Sequence, residues 1–294
     1  MQHCSQKKIS AIFSLLVFPL SACVEEVGDF MQDGNIVVID AVVNTTDTVQ
    51  YVYVSKGAQD RLDENTTPID TRLVTLTDDL GRVDTFSVSE NGVVCSLYRP
   101  DIEVGRTYTV DVWVADRHFS STQTVVPHPI VKGIKFYYHD TKDETVLNPL
   151  FYFEDCDPTA DNYYLIHSEF GIYLRARSSS FYPLIMPVSD AGLKSSVDGL
   201  RLSYGLGAGT DDRGQWTGLY YGNYYHYEIS SVSREVYLYF LALEKQISSD
   251  GGIYQPSPSS PISNFEGDGV QGLFIAADTY VFEGEVKYRD IIER

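Results

Sequence analysis

Three aspartates, Asp155, Asp157 and Asp161, lie close together in the chain and are the side chains best spaced to chelate a cation. Several carboxylate oxygens from one turn can surround Ca²⁺, which prefers oxygen ligands. However, Ala160 stands where such a loop needs a glycine, and Ile166 stands where a bidentate glutamate belongs. An Asx-Pro turn after a strand explains the same residues. We therefore predict no metal and no other cofactor, and keep the three aspartates only as metal-ligand candidates.

The common catalytic patterns are missing from the sequence. It has no Gly-x-Ser-x-Gly turn for a serine nucleophile and no His-Glu-x-x-His zinc pattern. The glycine-rich stretch 205–209 is not followed by the lysine and helix of a phosphate-binding loop. These observations predict a non-enzymatic protein.

Cys23 offers a different chemistry, because it ends the run Leu20-Ser21-Ala22-Cys23. Lys7 and Lys8 lead into the apolar stretch 9–20, which is the pattern of a signal peptide and is too short to span a bilayer. The four residues look like a bacterial lipobox, in which the cysteine thiol is diacylated, the peptide before it is removed and the new amine is acylated. Two or three acyl chains give durable membrane attachment. An ordinary signal peptide with a chance cysteine is the alternative.

Lipidation at Cys23 sets the start of the mature chain. We predict a lipoprotein signal peptide at 1–22 and a lipidated tether at 23–33. Cys95 and Cys156 then remain in the folded part, and two cysteines do not by themselves fix a pairing. We favour two buried free thiols, with a disulfide as the alternative.

Aromatic side chains are dense between residues 216 and 227. Aromatic faces stack on sugars and other planar ligands, so Trp216, Tyr221 and Tyr224 are candidates for ligand binding. Tyrosine and tryptophan are also favoured strand residues. The other interpretation is a pair of strands whose rings cover a core.

The chain has 294 residues and a formal net charge of −19. This length accommodates two domains of ordinary size. The acidic balance argues against binding to nucleic acid or direct docking on anionic lipid headgroups.

The residues before position 127 alternate between short β-type runs and turn residues. Tyr108, Val110, Val112 and Val114 fall on one face of such a run, and Trp113 falls on the other. The spacing predicts an immunoglobulin/fibronectin-like β-sandwich at 34–127, with strands at 36–43, 50–54, 72–77, 83–88, 93–98, 107–114 and 119–125.

Pro127 and Pro129 remove two amide donors and stiffen the chain, which is typical of a boundary. Beyond them we predict a β-rich domain at 130–294, with strands at 131–138, 150–154, 163–168 and 171–177. One amphipathic helix is predicted near 233–249. Ser233 is its N-cap, and its apolar stripe comprises Val236, Tyr237, Phe240, Leu241, Leu243 and Ile247. The fold class is therefore mainly β.

Several segments together resemble a family of Bacteroidota outer-membrane lipoproteins of uncharacterised function. They include the helix at 233–246, the pair Ser263-Asn264 and the run 269–274. In the first half, the runs 36–41, 74–79 and 105–110 are similar to successive strands of the family. Arg234 departs from the family's pattern, which usually has an acidic residue after the helix cap.

The resemblance implies a lipoprotein commonly encoded beside a TonB-dependent receptor and assisting that receptor in nutrient capture or uptake. It implies no catalytic residues. Glu25 and Glu26 resemble the acidic export signal that sends lipoproteins of this phylum to the cell surface. We therefore expect an anchored protein of the outer membrane that faces the cell exterior. A stand-alone adhesin or glycan-binding module is the alternative function.

Replacing the lipobox cysteine tests the anchor. Cys23→Ser removes the thiol that accepts the diacylglyceryl group, so we expect the protein to leave the membrane fraction. Membrane and soluble fractions of cells that express either form are compared by immunoblotting. Ala22→Gly, which keeps a small residue before the cysteine, is the control. Continued membrane retention of Cys23→Ser would contradict lipidation at this position.

Overall fold

The fold is described from a computed structural model of the chain. The structure describes residues 36–57, 68–140, 145–154, 160–171, 184–189, 200–201, 208–210, 216–248 and 261–292. The predicted signal peptide, the tether and the residues Cys23, Glu25 and Glu26 lie outside these ranges, and so do Asp155, Cys156 and Asp157.

The described residues form eighteen strands, one α-helix and one short 3₁₀ helix, Tyr288–Asp290. The strands before Pro127 are β1 Val37–Asn44, β2 Val49–Lys56, β3 Thr71–Asp78, β4 Val83–Thr85, β5 Ser87–Val88, β6 Val94–Tyr98, β7 Thr107–Val114 and β8 Arg117–Thr124. The later elements are β9 Ile130–Asp140, β10 Thr145–Glu154, β11 Tyr163–Gly171, β12 Leu184–Ser189, β13 Leu200–Arg201, β14 Ala208–Thr210, β15 Trp216–Gly218, β16 Tyr224–Val232, α1 Arg234–Ser248, β17 Val270–Glu285 and β18 Ile291–Ile292.

One large sheet organises the molecule, with the strand order β12-β11-β16-β17-β1-β2-β6-β5. Two four-stranded sheets pack against it. The first small sheet has the order β4-β3-β7-β8 and the second small sheet has the order β13-β10-β9-β18. The strands β14 and β15 form a separate pair. The fold class is mainly β, as predicted.

The first sandwich lies between the first small sheet and the β17-β1-β2-β6-β5 part of the large sheet. Tyr108, Val110, Val112 and Val114 of β7 are all buried in its core, which confirms the predicted alternation. Trp113 points to the other face and stacks on His118, with 4.5 Å between the ring centroids. Packing against a neighbouring strand therefore occupies this ring.

The second sandwich has a core rich in aromatic rings. Phe136, Phe151, Tyr227 and Phe282 are buried there, and the ring of Phe151 meets the rings of Tyr227 and Phe282 at centroid distances of 5.4 and 5.5 Å. Aromatic pairs prefer such tilted and edge-to-face arrangements. The second sandwich thus buries some of the aromatic residues in the second half of the chain.

The predicted helix is present as α1. The Val236 amide donates to the Ser233 hydroxyl at 3.4 Å, so Ser233 caps the first turn as expected. Val236 is buried, and Tyr237 and Phe240 pack beside it on Leu165, Val232 and Leu273 of the large sheet. The helix therefore covers the face of the large sheet that is opposite to the two sandwich cores.

A single long strand, β17, belongs to both sandwiches. Successive side chains of a strand point to opposite faces, and in β17 Phe274 and Ala276 enter the first core while Phe282 enters the second. The prediction of a first sandwich complete within 34–127 is therefore corrected. Phe265 and the first half of β17 complete that core, although they lie far beyond the predicted boundary at 127–130.

The direction of β17 fixes where the second sandwich lies relative to the first sandwich. It runs parallel to β1, from Val270 beside Val37 to Ala277 beside Asn44, and then pairs antiparallel with β16 as far as Glu285. Its 16 residues span about 50 Å at the usual rise per strand residue. The second sandwich therefore extends from the end of the first sandwich that is opposite to Val37.

The junction between the sandwiches is held by Asp278, which lies midway along β17 and is buried. The Thr45 hydroxyl donates to Oδ1 of Asp278 at 2.6 Å, and the backbone N–H of His128 donates to Oδ2 at 2.8 Å. One carboxylate thus joins the β1–β2 turn and the proline-flanked connection to the shared strand. Charge-assisted hydrogen bonds of this kind are stronger than neutral ones.

Two residues of the run 263–274 meet requirements of β17 that few other residue types could meet. Gly272 has a φ of +106°, and a Cβ built on it would lie 2.1 Å from the carbonyl oxygen of Ile39 in β1. Asn264 pairs with the other edge of β17, because its Nδ2 donates to the Phe274 carbonyl and its Oδ1 accepts from the Phe274 N–H, both at 2.8 Å. A side chain here takes the place of a neighbouring strand.

Gly272→Ala should therefore disrupt the pairing of β1 with β17. We expect a loss of more than about 3 kcal/mol in the free energy of unfolding, because backbone strain of about 1 to 3 kcal/mol is added to a clash with Ile39. Gly105→Ala is the matched control, since its φ is +80° with nothing near its Cβ position, and it should cost about 1 to 2 kcal/mol. Urea unfolding followed by tryptophan fluorescence measures both. Equal losses would contradict the proposed clash.

Candidate functional site

Polar and aromatic side chains gather on two surfaces of the described part of the molecule. The first, which we call the groove, lies between β8, α1 and residues 262–266 near the junction of the sandwiches. The second, which we call the histidine face, lies on the outer side of β11, β16 and β17. It comprises Tyr224, His226, Glu228, His167 and Glu283.

The groove has a volume of about 700 Å³, which is within the range of ligand-binding clefts. One wall comes from α1 with Leu238, Tyr239 and Ala242, and the opposite wall comes from residues 120–123 of β8. Ile262 lies at the rim and is largely exposed. The groove therefore combines apolar walls with the edge of a sheet.

Hydrogen bonds join the sides of the groove. The Gln123 amide donates to Oε2 of Glu235 in the first turn of α1 at 3.3 Å. The Ser121 hydroxyl donates to the backbone carbonyl of Asn264 at 2.8 Å. These contacts fix α1 and residues 262–266 relative to β8, so the groove is held open by the fold.

On the histidine face, Glu228 is placed between two imidazole rings. Nε2 of His226 lies 2.9 Å from Oε1 of Glu228, and Nδ1 of His167 lies 3.3 Å from Oε2. Nδ1 of His226 lies 3.6 Å from Oε2 of Glu283 on the next strand. Cross-strand pairing explains the cluster, because His167 is opposite Glu228 and His226 is opposite Glu283.

The two histidines change the acidity of Glu228. The hydrogen bond with His167, together with that with His226, lowers the pKa of the Glu228 carboxyl to about 2, although partial burial acts in the opposite direction. Glu228 is therefore ionised at neutral pH and can hold both rings in place. Among the described residues, no group of His, Cys, Asp and Glu side chains has the arrangement of a metal site.

The three aromatic candidates do not converge on one described site. Tyr224 begins β16 on the histidine face, whereas Tyr221 lies in the preceding turn and meets Tyr288 at a centroid distance of 6.3 Å. Tyr221 and Tyr288 are both strongly exposed. Trp216 begins β15, where its backbone pairs with Thr210 of β14, and its side chain lies outside the described part.

The same aromatic stretch also supplies core residues. Tyr225 packs against Phe136 at 5.1 Å and against Tyr227 at 5.6 Å, and Tyr227 is fully buried. Alternate tyrosines of β16 thus cover the second core, as one of the two interpretations predicted, while Tyr224 stays on the outer side.

Asp161 is exposed and lies beside a small cleft of about 220 Å³ that Tyr163 and Ser233 also line. The other two aspartates of the predicted cluster lie outside the described residues. Cys95 is buried and free, and burial raises the pKa of its thiol to about 11. The prediction of a buried free thiol is confirmed for Cys95.

Sequence patterns identified Tyr224 as a candidate but none of the other residues of the histidine face and nothing of the groove. Tyr224, His226 and Glu228 alternate along one strand, and this spacing places them on one face. This alternation is a usable signal in the sequence, although the tyrosines between these residues obscure it. The groove has no such signal, because its walls come from segments more than a hundred residues apart in the chain.

No helix among the described residues is long and apolar enough to span a membrane. Another sheet surface is also open to solvent: Tyr51 and Tyr53 of β2 stack at 6.2 Å on the outer side of the large sheet, beside Val42. All three side chains are exposed. This surface lies on the first sandwich, away from the histidine face.

The sequence of the chain matches a family described as a domain of unknown function, DUF4249, over residues 24–282. No curated protein shows significant similarity to this chain. Among solved structures, a segment of two fibronectin type-III domains from chicken tenascin is 16% identical, with 66% of this chain and 88% of that chain covered and a TM-score of 0.21. So low a TM-score supports no statement about this chain.

The histidine face should make stability depend on pH through Glu228. Because folding lowers the pKa of Glu228 from 4.5 to about 2, its contribution is present above pH 4.5 and is lost as the pH falls toward 2. We expect Glu228→Gln to cost about 1 kcal/mol at pH 6, since the pair is partly exposed, and to cost less at pH 3.

Urea unfolding of both proteins between pH 3 and pH 7 measures this difference. Glu283→Gln is the matched control, because Glu283 is more exposed and meets His226 at 3.6 Å. It should change stability by less than about 0.5 kcal/mol at each pH. A cost of Glu228→Gln that does not vary with pH would contradict the assigned role.

Proposed function

We propose that this chain, which belongs to the DUF4249 family of unknown function, is a non-enzymatic, lipid-anchored outer-membrane lipoprotein. It assists a TonB-dependent receptor in the capture or uptake of a nutrient. Acyl chains on Cys23 attach it to the membrane, the first sandwich acts as a spacer, and the second sandwich contacts the receptor or the nutrient.

The position of the family match supports the anchor. The match begins at residue 24, directly after the cysteine of the lipobox. The first described strand begins at Val37, so the connection from Cys23 is at most about 50 Å long when fully extended. A connection of that length keeps the first sandwich close to the membrane surface.

The direction of β17 is the observation that carries the proposal. The predicted anchor joins the molecule at the Val37 end of β1, and β17 leads from that end to Glu285 in the second sandwich. A lipid-anchored chain of this shape holds the second sandwich away from the membrane. Tyr224 and the exposed pair Tyr221 and Tyr288 lie at that far end.

The acidic composition agrees with a partner other than nucleic acid or the anionic lipid surface. With a formal net charge of −19, the chain is repelled by both. Glu25 and Glu26 resemble an export signal and favour the side of the membrane that faces the exterior. The nutrient itself is not specified by any of these features.

Co-purification from native membranes tests the proposal. The full-length tagged chain, extracted in mild detergent, should recover a large outer-membrane barrel protein that mass spectrometry identifies as a TonB-dependent receptor. We expect the double variant Tyr221→Ser, Tyr224→Ser to recover severalfold less of it, because exposed tyrosines are common anchors of interfaces. Tyr51→Ser, Tyr53→Ser, which changes exposed tyrosines of the first sandwich, is the matched control.

Recovery of no receptor by the wild-type chain would overturn the proposal. The alternative is then a glycan-binding module that acts alone through Trp216, Tyr221 and Tyr224. The exposed pairing of Tyr221 with Tyr288 favours it, because adjacent exposed rings can stack on a sugar. Binding on a glycan array that is lost when the three residues are changed to alanine would identify this alternative.

A further inference from the structure

Among the described residues, none pairs with the outer edge of the first small sheet between Ser120 and Val126, which faces the groove. β8 pairs with β7 along one side only. On its other side, Ser120 in the middle of the strand bridges to Glu266, and Val126 just beyond the strand bridges to Ala277. The residues between these two bridges form a short length of strand edge that faces α1 and residues 262–266 across the groove.

Thr122 directs its backbone hydrogen-bonding groups toward this groove. Ser120 exchanges both of its backbone hydrogen bonds with Glu266, at 2.8 and 3.4 Å, so the even-numbered residues of β8 point away from β7. The hydroxyls of Thr109 and Thr122 meet at 2.8 Å, which is typical of a pair that shares no backbone hydrogen bonds.

Within the described part of the chain, no group bonds to the Thr122 N–H or C=O. Thr122 itself is exposed. When a strand is added to a sheet, one of its residues bonds to such an N–H donor and C=O acceptor on the same side of the edge strand. An exposed strand edge of this kind is normally protected by a charge, a proline or a covering segment, and Thr122 supplies none of these.

The sides of the groove fit an extended chain with alternating side chains. Leu238 of α1 and Ile262 are both exposed and offer apolar contacts. Glu235 and Glu266 lie along the groove, and both are exposed carboxylates. The described residues that line the groove include no lysine, arginine or histidine, so a basic side chain finds complementary charge there.

From these contacts we infer that the groove binds a short extended segment of another polypeptide, which adds to β8 at Thr122 and places a basic side chain beside Glu235. Backbone hydrogen bonds give such a complex its affinity, and the side-chain contacts give it specificity. The inference deepens the proposed function and rests on it for the identity of the partner. Peptide binding itself requires neither the anchor nor the receptor.

A defined peptide tests the site directly. The probe is the fluorescein-labelled peptide Thr-Val-Thr-Lys-Thr-Val-Thr with blocked ends, and its fluorescence anisotropy is titrated with the full chain in detergent micelles. A second probe carries glutamate in place of the lysine. We expect the lysine probe to bind about tenfold more tightly, because the groove contains two carboxylates and binding adds a charge-assisted contact.

Thr122→Pro tests the strand edge. Proline removes the outward N–H and is tolerated on the open edge of a sheet, so the variant should keep its urea stability but bind the lysine probe about tenfold more weakly. Thr122→Val is the matched control, because it keeps the backbone N–H and the shape of the side chain. It should bind like the wild type.

Glu235→Gln tests the charge without touching the strand, and covers the case in which Thr122→Pro fails to fold. Its preference for the lysine probe over the glutamate probe should fall severalfold, whereas Glu244→Gln, on the same helix but outside the groove, should keep that preference.

Three results would overturn the inference. They are no binding of either probe by the wild type, equal binding by Thr122→Pro at unchanged stability, and self-association of the chain that Thr122→Pro abolishes, which would assign the edge to a second copy. Failure of the receptor co-purification with intact peptide binding would reject only the proposed function.

Discussion

The pairing of β17 with two different strands is the constraint on which the rest of the structure depends. Its first half pairs with β1 and its second half with β16, so one hydrogen-bonded strand fixes the position of each sandwich relative to the other. Asp278 reinforces this arrangement of the sandwiches, because it joins the β1–β2 turn and the connection at His128 to the same strand. The groove depends on this strand, because α1 packs on a face of it and Asn264 hydrogen-bonds to its edge.

The family-like run near the C-terminus acquires a physical meaning from this pairing. Gly272 lets β17 approach the backbone of β1, and Asn264 hydrogen-bonds to Phe274 in place of a further strand. Phe265 then enters the first core. Each of these residues meets a steric, packing or hydrogen-bonding requirement of the shared strand. Asn264 and Phe265 also line the groove, so this run supports both the fold and the candidate site.

Local patterns predicted the mainly β fold, the alternation of β7 and the capped helix, because each depends on neighbours within one element. The first sandwich could not be delimited in this way, since Phe274 completes its core from more than a hundred residues beyond Pro129. The burial of Arg99 and its ion pairs could not be predicted from local patterns either. It is buried with Nη2 2.6 Å from Oδ2 of Asp78 and Nη1 2.8 Å from Oδ2 of Asp84, partners that only the folded turns bring together. The two candidate surfaces depend on strand pairing and helix docking in the same way.

The parallel register of β1 and β17 also determines how the molecule carries a mechanical load. A pull applied at Val37 and resisted at Glu285 acts along both strands in opposite directions. The eight residue pairs from Val37 to Asn44 are then loaded together in shear, and none of them can separate before its neighbours. Strands pulled apart from one end would instead lose their hydrogen bonds one at a time. The pairing of β1 with β17 is therefore oriented to resist tension along the length of the molecule.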